Sequence, residues 1–101
     1  MAKLWITEFA YQAGTAATYN PLLDAAQLPA VAGQVVTFTT TTQSAALSAS
    51  TKFVRVIADA DCHIETGANP TATTGSMKLI AGAAEYFGVT AGHKIAAVTA
   101  A

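Results

Sequence analysis

At 101 residues the chain is long enough for one domain with a single core and needs no disulfide to fold; its one cysteine has no intramolecular partner. Asp, Glu, Lys and Arg make up 11% of the residues, against about 25% in ordinary soluble domains, and the net charge is −1. Five scattered basic residues argue against a nucleic-acid surface, and no stretch reaches the ~20 apolar residues of a membrane-spanning helix.

Taken in order, residues 3–9 alternate Leu4, Ile6 and Glu8 against Trp5, Thr7 and Phe9. Both sides are apolar at the centre, which predicts a strand covered on two faces. The amino terminus carries no apolar leader, so a soluble, unsecreted polypeptide made in the cytoplasm is expected. Residues 12–33 lose the alternation. Asn20 and Pro21 could cap a short helix that Pro29 would stop, and an extended arm or long loop fits equally well. Loops this long are usually functional or disordered, and the leucines favour docking over free solvation, so Leu22, Leu23, Leu28, Pro29 and Val31 are the candidate partner-binding residues.

Residues 34–42 read as a strand by propensity, and 43–49 as a further strand of small residues. At 53–58, Phe53, Arg55 and Ile57 alternate with Val54, Val56 and Ala58. After Asp59-Ala60-Asp61 the alternation resumes at 62–65, so the two segments read as a hairpin. Three more short strands are expected at 77–80, 85–89 and 93–98, with Gly67, Gly82 and Gly92 in turns. Alanine favours helices, yet no window holds a 3.6-residue apolar stripe. The prediction is an all-β domain spanning 1–101: a small antiparallel β-sandwich of about seven to eight short strands with an N-terminal arm at 12–33. A jelly roll is among the arrangements that fit, and the strand order stays open.

Chemistry is sparse. His63 and Glu65 share a strand face and His93 could meet them, but this falls short of a ligand set, so no metal or cofactor is expected. Asp59 and Asp61 flank a strand break, where carboxylates accept backbone N–H bonds. No phosphate loop, nucleophile elbow or paired cysteine motif occurs, so no catalytic residue is assigned and the chain is not read as an enzyme. Cys62 falls on an inward position, as a buried thiol would. Lys52 and Arg55 fit charges that guard a strand edge. Ala and Thr supply 39 residues, giving outward faces that cost little to desolvate and suit packing against neighbours.

The opening Met-Ala-Lys-Leu-Trp-Ile-Thr-Glu-Phe, the run Leu-Pro-Ala-Val-Ala-Gly-Gln at 28–34, Val54-Arg55-Val56, Cys62-His63-Ile64-Glu65-Thr66-Gly67-Ala68-Asn69-Pro70-Thr71-Ala72-Thr73 and Glu85-Tyr86-Phe87-Gly88-Val89 resemble a group of small tailed-bacteriophage proteins. The likeness covers most of the chain. It implies a β-rich virion component of the head region with no enzymatic role: a capsid cement or decoration protein on the outer face of the major capsid protein lattice. The implied partners are the major capsid protein and further copies of the chain, as a homotrimer or other homo-oligomer, with neither nucleic acid nor membrane. The alternatives are a neck, tail or fibre component, present in few copies, and a carbohydrate-binding module. A lectin would line a groove with aromatics, and the aromatics here are spread along the chain.

Overall fold

The computed structural model describes residues 2–10 and 30–100. These form eight strands and no helix: β1 Ala2–Phe9, β2 Ala32–Phe38, β3 Thr42–Gln43, β4 Phe53–Ala58, β5 Cys62–Gly67, β6 Met77–Leu79, β7 Glu85–Gly88 and β8 Lys94–Thr99. Two four-stranded sheets, ordered β2-β1-β4-β7 and β3-β8-β5-β6, pair antiparallel throughout. The molecule is a small β-sandwich.

Period-two alternation builds the core. One phase of each strand turns inward, so Leu4 and Ile6 of β1, Val36 and Phe38 of β2, and Val54 and Val56 of β4 meet Cys62 and Ile64 of β5, Leu79 of β6, and Ile95 and Ala97 of β8. Leu47, from the segment after β3, joins them.

The connections depart from the sequence reading in four places. Residues 53–58 and 62–65 do not form a hairpin: β4 lies between β1 and β7, while β5 lies between β8 and β6 in the opposite sheet. The link at 59–61 arches across the sandwich, anchored by Asp59 Oδ1 accepting Lys3 N–H and Asp61 Oδ1 accepting Ala81 N–H, each at 2.8 Å. Both aspartates accept backbone N–H groups as expected, though from distant segments. Because β4 is central, Arg55 guards no edge. The stretch read as irregular reaches too far, since β2 already begins at Ala32. The strand expected at 43–49 is confined to Thr42–Gln43, beyond which Ser44 and Leu47 donate backbone N–H bonds to the carbonyls of Ile95 and His93, 2.8 Å each.

Gly82 and Gly92 occupy turns at φ 78° and 83°, where an L side chain is strained, whereas Gly67 ends β5 with no such requirement. The start of β1 and the end of β8 lie at one corner. Ala2 is opposite Phe38, and the next residue, Thr39, accepts the Thr99 hydroxyl at 2.9 Å.

Candidate functional site

The outward phase of the β2-β1-β4-β7 sheet carries a cluster of exposed apolar residues. Register sets it out in rows: Trp5 is flanked by Val35 and Ile57, and Thr7 by Gly33 and Arg55, with Tyr86 beyond Arg55. At the end of the sheet Phe9, itself buried, pairs with the half-buried Phe53, their rings stacked at 5.2 Å and 21°. Trp5 is 40% exposed, Val35 51% and Tyr86 56%. The strand was expected to be covered on two faces: Leu4, Ile6 and Glu8 are buried on one side, while on the other Phe9 is buried, Thr7 half-buried and Trp5 exposed.

The outward strand positions of this face hold Lys3 and Arg55 and no carboxylate. Trp, Tyr and Arg are the types that dominate binding energy at protein interfaces, and here all three share the outward phase of one sheet. With family models, curated proteins and solved structures alike, the chain has no match.

Of the sequence-based candidates, Leu22, Leu23, Leu28 and Pro29 lie outside the described residues. Val31 is exposed beside the start of β2, and its N–H donates to the Glu8 carbonyl at 2.8 Å. His63 and Glu65 stay together around Ser76, whose carbonyl lies 3.0 Å from His63 Nδ1 and whose hydroxyl donates to Glu65 at 3.2 Å. His93 does not join them. His63 faces Val98, and His93 precedes β8 at its other end, about 16 Å away at ~3.3 Å per residue. Among the described residues no three His, Cys, Asp or Glu side chains are grouped to hold a metal.

Sequence reasoning missed two features. Glu8, on the inward phase of β1, is buried, and its Oε1 accepts Ser48 N–H and the Thr51 hydroxyl, both at 2.7 Å. The Gly-Ala-Asn-Pro-Thr-Ala stretch does more than turn: it forms a strap across the second sheet. Gln43 Nε2 donates to Asn69 Oδ1 at 2.8 Å and to the Pro70 carbonyl at 2.9 Å, and Ala72 N–H donates to Thr41 Oγ1 at 3.0 Å. Ala96, on the outward phase of β8 opposite Gln43, is completely buried beneath it. The signal available in sequence was Ala96 itself, a small residue where the alternation calls for an exposed one.

Cys62 is buried at the arch. Its thiol is pushed from the ordinary 9.0 up to about 11, first by burial and then by the charges of Asp61 and Asp59. Such a thiol is a packing group and a poor nucleophile.

Proposed function

We propose that the chain is a phage capsid cement protein, binding the outer face of the major capsid protein lattice and tying neighbouring subunits together. The observation that carries this reading is the face of Trp5, Val35, Ile57, Arg55 and Tyr86 on a protein with few charges to desolvate. The resemblance to phage head components points the same way. We also read the two sheets as a jelly roll whose last strand comes first in the chain. Counting β1 after β8 turns the orders into 1-8-3-6 and 2-7-4-5, the jelly-roll order, an architecture shared by viral capsid and lectin domains. Fold alone does not assign function, so the weight stays on the face.

Stabilisation follows from multiplicity. A molecule, or an oligomer of it, that touches two capsid subunits makes its second contact at high effective concentration, so modest affinities combine into large avidity. Particles lacking the protein are expected to assemble yet rupture at lower temperature or on osmotic shock. Wild-type protein added back restores them at many copies per shell, and a folded Trp5→Ser/Tyr86→Ser variant does not. Particles as robust without it, or only a few copies at the portal or tail, would replace this reading with a neck or tail role.

A further inference from the structure

Among the described residues the two sheets end in β2 and β7 on one layer and in β3 and β6 on the other. An edge strand invites pairing with another chain, and proteins guard such edges by keeping them short or charged. Three of the four follow that rule: β3 has two residues, β6 has three including Lys78, and β7 has four beginning with Glu85. β2 does not. Its seven residues, Ala-Gly-Gln-Val-Val-Thr-Phe, contain neither a charge nor a proline.

Register tells which of its backbone groups lie open. Asp59 N–H donates to the Lys3 carbonyl at 3.1 Å, so the odd residues of β1 turn their backbone polar groups to β4 and the even ones turn theirs to β2. The Glu8 carbonyl, accepting Val31 N–H, agrees with this phase. Leu4 is opposite Val36 and Ile6 opposite Gln34, so the even residues of β2 bond β1 while Gly33, Val35 and Thr37 aim N–H and C=O away from it. Among the described residues no backbone group pairs with these six. Beneath the edge Ala45 N–H donates to Gln34 Oε1 at 3.0 Å, and the exposed residues there, Ala45 and Ala46, are too small to hold a neighbour off.

Val35 is the middle residue of β2. A two-fold axis at that point pairs Val35 with Val35 and Gly33 with Thr37, engages all six open groups of each copy, and brings no like charges together. We propose that two copies of the chain join β2 to β2 about this axis, fusing their four-stranded β2-β1-β4-β7 sheets into one. The self-match in length, phase and charge selects a second copy over a foreign strand. On the outward phase the rows join as well, Ile57, Trp5 and Val35 of one copy running into the partner's Val35, Trp5 and Ile57.

The test is sedimentation equilibrium of the full chain from about 5 to 500 μM, with amide hydrogen exchange at both ends of that range. The mass is expected to rise from 10.3 kDa toward twice that value. Exchange at Gly33, Val35 and Thr37 should slow with concentration while Gln34 and Val36, already bonded to β1, do not change, an alternation that pairing through the Trp5 face would not produce. Thr37→Pro removes an N–H on the open side, so the fold should keep its β spectrum. The dimer should weaken by about tenfold or more, because two of its six hydrogen bonds are lost. Val35→Lys sets like charges directly opposite each other and serves if the proline variant fails to fold. A chain that stays monomeric throughout, a trimeric mass, exchange at 33, 35 and 37 that ignores concentration, or a dimer untouched by both variants would overturn the proposal. A monomeric wild type would leave the cement reading untouched, since that is judged by particle attachment of the Trp5→Ser/Tyr86→Ser variant.

Discussion

Glu8 is the buried charge on which a loop of the fold depends. Its carboxylate closes the bonding of Ser48 N–H and of Thr51, a side chain that is itself buried, and so holds the segment between β3 and β4 against β1. Glu8→Ala would strand two donors, each costing about 1–3 kcal/mol when buried without a partner. A loss of roughly 2–5 kcal/mol in urea unfolding is expected, with Glu8→Gln retaining much of it because an acceptor oxygen remains. Cys62 gives a pH test. The folded state holds its proton up to about 11 while the unfolded chain releases it near the ordinary 9.0, so the unfolded state binds fewer protons in that window. Stability from this group is complete below the lower value and falls as pH rises through the upper one. Unfolding curves of the wild type and Cys62→Ala should therefore converge between those limits; parallel curves would refute the assignment.

At the scale of elements, alternation made the strands legible and left their partners hidden. In the pair 53–58 and 62–65, Val54, Val56, Cys62 and Ile64 face inward whether the segments share a sheet or sit across the core from each other. The local pattern is the same for a hairpin and for an arch. What distinguishes them is the recruitment of Asp59 by Lys3 and of Asp61 by Ala81, 56 and 20 residues away in sequence, which no local window contains. The strap was hidden for the same reason, since Gln43 and Asn69 meet only through tertiary folding. Gln43→Ala should cost about 1 kcal/mol and speed hydrogen exchange at Ala72, while Ala96→Leu should lift the strap at about 1–3 kcal/mol. Unchanged exchange at Ala72 in both variants would mean that the strap is held by something else. The connection from β1 to β2 is a further test. Glu8 lies opposite Ala32, so a two-residue Asn-Gly turn can replace 11–29 geometrically. The replaced chain is expected to keep its β spectrum and cooperative melt while weakening particle attachment.

For the whole molecule, a low charge count and the exposed apolar residues of the β2-β1-β4-β7 sheet mean that the proposed association would turn on desolvation more than on ion pairing. Capsid binding should change by less than about threefold between roughly 50 and 500 mM salt and show a negative heat-capacity change, measured by calorimetry. A steep salt dependence would point to Lys3 and Arg55 as the dominant contacts. The low charge was plain in the sequence, but the face was not: Trp5, Val35, Ile57 and Tyr86 come from four strands whose adjacency only the topology supplies. Strand order also bears on how the protein is made. β8 lies in the interior of its sheet, flanked by β3 and β5, and places Ile95 and Ala97 in the core. Until residues 94–99 have left the ribosome, β3 and β5 have no common partner and that half of the core stays open. At synthesis rates of about 5–20 residues per second, the nascent chain spends seconds with apolar strands unpaired and few charges to keep copies apart. Its own translation is thus the interval in which this protein is most exposed to aggregation and to proteases.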